Sequence, residues 1–182
     1  SKTPLTSLRC AELWQEAGLP DGVLNIVTCT REESEIFLTH PDVKGVCFVG
    51  TTGVGRHIYG IAASHGKRVQ AQTEAKNHAL VMEDANLERT ARGIINSAFG
   101  CAGERCMALP VVVAQESIAD KLVALVKKYA SELKLGPAYD KTTDLGPVVD
   151  AAHRERIVKW IERGLEEGAR LVLDGRNVTV PG

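Results

Sequence analysis

The chain has 182 residues, of which 44% are hydrophobic and 25% are charged, and its formal net charge is −1. This balance is typical of a globular protein that buries a core, and it argues against disorder. It also argues against a nucleic-acid or membrane partner held by bulk charge. No apolar run approaches the ~20 residues that a membrane-spanning helix needs. We therefore predict neither a nucleic-acid partner nor a membrane partner.

The cysteines are odd in number, and no two of them stand at CxxC spacing. Neither a disulfide framework nor a zinc site is therefore predicted. The histidines show no metal-ligand spacing either, so we predict no metal. Reduced cysteines suit a cytoplasmic protein, or one of the mitochondrial matrix if the source is eukaryotic. The five cysteines are Cys10, Cys29, Cys47, Cys101 and Cys106.

Predicted helices and strands alternate through the first part of the chain. This alternation is typical of a parallel sheet covered by helices, which places the chain in the α/β class. The order is a helix over residues 4–18, a short buried strand over 23–27, a short helix within 30–41, a strand over 46–49, a helix carrying Val54, Ile58 and Ile61, and a strand over 68–72.

The alternation restarts at residue 78 and continues to the end of the chain. Because the last strand is hardly begun and the chain starts directly on a helix, we expect a fragment from the interior of a longer chain. The order is a strand over 78–82, a helix over 87–98, a strand over 110–114, a long helix capped by Ser117 and Asp120, a loop over 134–147, a helix carrying Ile157, Ile161 and Leu165, and a strand over 170–173.

The segment F-G-C-A-G-E-R-C-M-A (residues 99–108) contains a candidate nucleophile. A cysteine follows a helix end and a glycine-containing turn, with Arg105 beside it. An adjacent arginine can stabilise a thiolate and attract an anionic substrate. From the residues alone, a small buried cysteine under a loop is the alternative, and spacing does not choose between Cys101 and Cys106.

The segment F-V-G-T-T-G-V-G (residues 48–55) connects a predicted strand to a predicted helix. Glycines there let the backbone approach a ligand, and a helix N-terminus offers N–H groups to a phosphate. The spacing is not the GxGxxG of an ordinary dinucleotide fold, so a plain strand-to-helix turn is the alternative.

Together these segments resemble two motifs of the aldehyde dehydrogenase superfamily. G-E-R-C-M-A is similar to its cysteine motif, and the resemblance implies that Cys106 attacks the aldehyde carbon while Cys101 is structural. The glycine-bearing segment is similar to the turn that holds the pyrophosphate of NAD. The NAD-binding residues implied by the resemblance are Lys2, Gly50, Thr51, Thr52, Gly55 and Thr73.

The resemblance also implies a domain organisation. Residues 1–74 are expected to be the second half of a Rossmann-like NAD-binding domain, and residues 75–182 the first half of a catalytic domain, both incomplete. Lys76 and Asn77 are expected to shape the crossing between them. The full-length protein is expected to be a homotetramer or a homodimer.

The segment Q-T-E-A-K-N-H (residues 72–78) departs from the E-L-G-G-K of most members of the superfamily. Gln72 stands at the position of a glutamate that activates water, and an amide cannot take a proton at neutral pH. A thioester on Cys106 would then be cleaved by a thiol, with coenzyme A as the co-substrate. A-K-N-H resembles the methylmalonate-semialdehyde branch, which implies loss of CO2 and an Arg105 that grips the substrate carboxylate.

Two other functions stay open at this stage. Glu74, two residues beyond Gln72, is a possible substitute base, which would give a hydrolytic aldehyde dehydrogenase that releases a free acid. The third possibility is a non-catalytic module that binds a partner or a nucleotide.

Overall fold

The computed structural model describes residues 2–180 and divides the chain into two compact units, residues 1–74 and 75–182. Each unit contains one two-stranded parallel sheet together with helices. The α/β class with parallel strands is therefore confirmed. Among residues 2–180, no helix has the length and apolar character needed to cross a membrane.

The first unit is built around one strand, helix, strand crossover. β1 and β2 pair in parallel, in register from Gly45 opposite Arg68 to Val49 opposite Gln72. Helix α4 connects them and buries Ala62 completely. The elements are α1 Leu5–Glu16, α2 Arg31–Ser34, α3 Ile36–Thr39, β1 Gly45–Val49, α4 Thr52–Ser64 and β2 Arg68–Gln72.

The strand predicted over residues 23–27 is wrong. Val23 and Val27 are each 65% exposed, and the segment belongs to no strand. A strand needs a neighbour to bond with, and the N–H of Val23 instead donates to the carbonyl of Pro20 in a turn. The helix predicted within 30–41 is present as two short helices, α2 and α3.

The second unit has the same crossover with a larger core. β3 and β4 pair in parallel, from His78 opposite Val111 to Val81 opposite Ala114. Helices α5 and α6 supply most of the buried side chains. The core residues are Val81, Ala91, Ile94, Ile95, Ile118, Leu122 and Tyr129. The elements are β3 His78–Val81, α5 Leu87–Phe99, β4 Val111–Ala114, α6 Glu116–Ser131 and α7 Ala151–Glu166.

Two expectations for this unit are wrong. Helix α6 begins at Glu116, one residue before the predicted cap, so Ser117 lies inside it. The residue before the helix, Gln115, uses its side chain to accept the N–H of Glu83 at 2.5 Å. Residues 170–173 form no strand, because no strand of the described residues pairs with them.

We predict that Leu122→Ala lowers the free energy of unfolding by about 2–4 kcal/mol, since it leaves a cavity in the core of the second unit. Leu122 is 3% exposed, whereas its neighbour Val123 on the same helix is 39% exposed. Val123→Ala, as the matched control, is expected to cost about 1 kcal/mol or less. Urea denaturation checks both, and equal losses would contradict the core described above.

Candidate functional site

The nucleophile loop, residues 100–108, follows directly on helix α5. It opens with a single 3₁₀ turn in which Cys101 and Ala102 have φ values of 52° and 54°. The N–H of Glu104 donates to the carbonyl of Cys101 at 3.0 Å and closes this turn. Left-handed backbone at two residues with a Cβ costs about 1 kcal/mol or more each, so the surrounding contacts must hold the loop in this shape.

Asn77 donates two hydrogen bonds to the later part of the loop. Its side-chain Nδ2 donates to the carbonyl of Cys106 at 3.0 Å and to the carbonyl of Ala108 at 2.8 Å. The N–H of Ala108 in turn donates to the carbonyl of Arg105 at 3.0 Å. Both amide hydrogens of Asn77 are used, and the Cys106 side chain is left exposed to solvent.

The guanidinium of Arg105 turns back over the start of the loop. Its Nε donates to the Sγ of Cys101 at 3.3 Å. A methyl group added to Gly100 would lie 2.6 Å from Nη1 and 2.9 Å from Cζ of Arg105, so the guanidinium packs directly on the bare Cα of Gly100. The sequence predicted Arg105 as a neighbour of Cys106 and, by resemblance, as the residue that binds a substrate carboxylate, but it gave no sign of the contact with Cys101.

Helix α7 makes a second contact with the loop, between His153 and Glu104. The Nε2 of His153 lies 2.9 Å from Oε1 of Glu104, and Arg156 Nη2 lies 2.7 Å from His153 Nδ1. Since a guanidinium only donates, Nδ1 is the acceptor and Nε2 carries the proton directed at Glu104. Sequence reasoning gave His153 no role at the site, because nothing in the spacing links residues 104 and 153.

The glycine turn, residues 50–55, lies in the first unit between β1 and α4. The N–H of Gly50 donates to the carbonyl of Gln72 at 3.1 Å. A methyl group on Gly50 would meet the Phe48 ring at 2.5 Å, and one on buried Gly55 would meet Cγ2 of Thr73 at 2.5 Å. Both positions therefore require glycine for close packing of the turn.

The N-terminus of helix α4 already binds a carboxylate. The N–H of Thr52 donates to Oε2 of Glu74 at 3.0 Å. The hydroxyl of Thr52, and then its N–H, lower the pKa of Glu74 below its ordinary value because both bond to the charged form. The helix end thus offers its donors to an anionic oxygen, as helix N-termini commonly do.

The predicted site residues fall into two groups, one in each unit. Cys106 and Arg105 belong to the nucleophile loop of the second unit. The glycine turn of the first unit brings together Gly50, Thr51, Thr52, Gly55 and Thr73. Lys2 is exposed and precedes helix α1, and Gln72 is the exposed last residue of β2. Residues 2–180 contain no group of three or more metal-ligating side chains that could hold a metal ion.

Comparison with known proteins identifies the family. The aldehyde dehydrogenase family model matches residues 1–182, so the chain belongs to that family. Malonate-semialdehyde dehydrogenase 2 of Geobacillus kaustophilus (strain HTA426) is 55% identical over 175 residues, which are 96% of this chain and 36% of that protein. The chain therefore spans about a third of the length of the curated relatives it matches.

Solved structures give the same result for the fold. The methylmalonate-semialdehyde dehydrogenase of Oceanimonas doudoroffii matches with a TM-score of 0.93 and 43% identity, over 98% of this chain and 37% of that one. The betaine aldehyde dehydrogenase of Staphylococcus aureus, solved in complex with NAD+, matches with a TM-score of 0.87 and 30% identity, over 95% of this chain and 35% of that one. The expected aldehyde dehydrogenase fold is confirmed.

We predict that Asn77→Ala lowers the free energy of unfolding by about 1–3 kcal/mol, because two hydrogen bonds to the loop are lost. Asn77→Asp is expected to cost more, since a carboxylate would face the carbonyl oxygens of Cys106 and Ala108 with no hydrogen to donate. Urea denaturation measures both. Asn96→Ala, an exposed change on helix α5, is the control, and a loss there as large as in Asn77→Ala would contradict this role of Asn77.

We predict that the Thr52 amide proton reports the ionisation of Glu74. The folded-state pKa is lowered, so the contact is fully present above the unfolded value of about 4.3 and is lost as the pH falls through the lower, folded-state pKa. An NMR titration of the Thr52 amide should therefore show a midpoint below the ordinary glutamate range. Glu74→Gln should abolish that titration, and a midpoint at or above the ordinary value would contradict the contact.

Proposed function

We propose that this chain carries the nucleophile and the NAD-binding turn of an aldehyde dehydrogenase that oxidises malonate or methylmalonate semialdehyde and passes the acyl group to coenzyme A. The observation that carries the proposal is the exposed Cys106, whose carbonyl is held by Asn77 of the A-K-N-H segment. That segment is preceded by Gln72, which has no basic group to activate water.

The glycine turn fits the pyrophosphate of NAD. Gly50 packs closely on Phe48 and Gly55 packs closely on Thr73, and the Thr52 N–H already donates to an anionic oxygen of Glu74. The Staphylococcus aureus relative was solved with NAD+. When bound, NAD+ accepts a hydride from the substrate carbon. The residues proposed to bind it are Gly50, Thr51, Thr52, Gly55 and Thr73, with Lys2 at the adenosine end.

In the first half of the reaction, Cys106 acts as the nucleophile. Its sulfur attacks the aldehyde carbon, and the carbonyl oxygen takes up a proton to give a thiohemiacetal. Loss of hydride from that carbon and of the hydroxyl proton leaves an acyl thioester on Cys106. The two hydrogen bonds from Asn77 keep the backbone of the turn in place while the sulfur changes its bonding partner.

In the second half, the thiol of coenzyme A attacks the thioester and releases Cys106 as a thiol. Gln72 leaves water without a base at the position where most members of the family have one, so a strong nucleophile is favoured over hydrolysis. For a malonate-type acyl group, the carboxylate leaves as CO2 and the adjacent carbon takes up a proton. Arg105 is proposed to bind that carboxylate before the reaction.

The contacts of Glu74 argue against the hydrolytic alternative. A carboxylate that accepts two hydrogen bonds from Thr52 has a lowered pKa, which makes it a weaker base toward water. The structure gives this side chain a different task, as an acceptor at the N-terminus of α4. We further propose that residues 1–74 form part of the NAD-binding domain and residues 75–182 part of the catalytic domain.

We predict that NADH forms from methylmalonate semialdehyde only when coenzyme A is present, and that the product is an acyl-CoA. Cys106→Ala should lower the rate at least about a thousandfold, since it removes the nucleophile. Cys10→Ala changes an exposed thiol on helix α1 and should leave the rate unchanged. Absorbance of NADH and chromatography of the products measure these outcomes.

Two results would overturn the proposal. Free acid as the product, with no need for coenzyme A and with loss of turnover in Glu74→Gln, would establish the hydrolytic alternative. No aldehyde-dependent NADH, together with an ordinary rate of alkylation at Cys106, would favour the non-catalytic binding module.

A further inference from the structure

We infer that Gly100 and Cys101 are positioning residues for Arg105 and thereby set the selectivity of the site for aldehydes that bear a nearby carboxylate. The inference rests on the proposed function, in which Arg105 binds the substrate carboxylate and Cys106 attacks the aldehyde. It adds two residues that lie before Arg105 in the loop and contact its guanidinium.

Gly100 provides the surface on which the guanidinium lies. A methyl group at this position would stand 2.6 Å from Nη1, 2.9 Å from Cζ and 3.2 Å from Nη2, so all three atoms would have to move. The backbone itself does not require glycine, because φ is −54° and ψ is 130°, values that any residue adopts. Among the described residues, the three atoms nearest to such a methyl group all belong to Arg105, so this guanidinium is what leaves no room for a side chain at Gly100.

Cys101 determines how the guanidinium is turned. Its Sγ accepts the Nε–H of Arg105 at 3.3 Å, and its left-handed backbone, with φ of 52°, is part of the turn that brings the sulfur back to residue 105. Nη1 and Nη2 make no hydrogen bond within residues 2–180. The edge formed by these two nitrogens is thus presented for the paired bonds that a carboxylate makes.

Arg105 directly precedes Cys106 in the chain. In the proposed reaction its guanidinium and the Cys106 sulfur act on the two ends of one small molecule. The semialdehydes of the proposed function carry the carboxylate one carbon away from the reacting carbon, so the position of the guanidinium relative to Cys106 matters for them. A methyl group at Gly100 would displace the guanidinium from the place where it binds the substrate carboxylate, and it would leave Cys106 itself unchanged.

Alkylation of Cys106 by iodoacetate and by iodoacetamide tests the inference without NAD or coenzyme A. The sulfur displaces iodide from the same CH2 group in each reagent, and the two reagents differ only in a carboxylate or a neutral amide beside it. Trypsin cleaves after Arg105 and so places Cys101 in peptide 93–105 and Cys106 in peptide 106–121. Mass spectrometry then gives the rate at each thiol separately.

We expect the ratio of the iodoacetate rate to the iodoacetamide rate at Cys106 to exceed that of glutathione by about threefold or more, because a carboxylate bound by Arg105 is held beside the sulfur. Gly100→Ala and Arg105→Lys should both reduce the ratio toward that of glutathione. Arg105→Lys keeps the positive charge and the tryptic site, so its effect isolates the geometry of the guanidinium.

The control and the rescue are chosen from the same part of the chain. Gly93→Ala on helix α5 adds a methyl group with no atom within 4 Å and should keep the wild-type ratio. Cys101→Ala should lower the ratio, whereas Cys101→Ser should restore most of it because a hydroxyl also accepts a hydrogen bond. The two Cys101 variants therefore test the positioning of Arg105 even if Gly100→Ala lowers the stability of the chain.

Equal ratios in the wild type, Gly100→Ala and both Cys101 variants would overturn the inference. A positive NADH assay with such equal ratios would leave the proposed function standing and remove only the positioning roles. A raised ratio that Gly100→Ala and Cys101→Ala abolish, in a chain that forms no NADH, would support the carboxylate site and count against the proposed reaction.

Discussion

The nucleophile loop depends on one side-chain amide. Asn77 donates both of its amide hydrogens to backbone carbonyls on either side of Met107, at 3.0 and 2.8 Å. Those bonds fasten the loop that follows α5 to the start of β3, and β3 pairs with β4 in the core of the second unit. The exposed thiol of Cys106 is therefore carried by a backbone segment that is tied to the sheet, although the side chain itself faces solvent. Without this amide, the carbonyls of Cys106 and Ala108 would lose these two hydrogen bonds.

Glu74 and Asn77, three residues apart, use opposite hydrogen-bonding chemistry. Glu74 is an acceptor and satisfies an N–H at the N-terminus of α4 in the first unit. Asn77 is used as a donor and satisfies two carbonyls in the second unit. Helix N-termini leave N–H groups unpaired, and irregular loops leave carbonyls unpaired. Glu74 pairs a group of the first kind and Asn77 pairs two groups of the second kind. The segment between β2 and β3 is short, yet it stabilises the candidate binding turn and the candidate nucleophile loop.

Local patterns in the sequence predicted the crossovers well. The alternation of apolar strands with amphipathic helices predicted β1, α4 and β2, and again β3, α5, β4 and α6, because each of these elements has its partner close by in sequence. Residues 23–27 and 170–173 have the same apolar character but lack a neighbouring strand among the described residues. Resemblance to the family motifs predicted Cys106 as the nucleophile and Arg105 as the residue that binds a substrate carboxylate. The contact of Arg105 with Cys101 was not predictable, because it depends on left-handed backbone at residues with a Cβ, for which the sequence carries no signal.

The carboxylate at the start of α4 has a consequence for any ligand of the glycine turn. A phosphate that takes the N–H of Thr52 must first displace Glu74, which is tethered to the same unit and so competes at a high, constant effective concentration. Such an internal competitor weakens binding of the ligand, and it also takes over the helix end as soon as the ligand departs. An anion that binds this N–H therefore gains less than it would at an unpaired helix end, and Glu74 satisfies the N–H again once the anion has left.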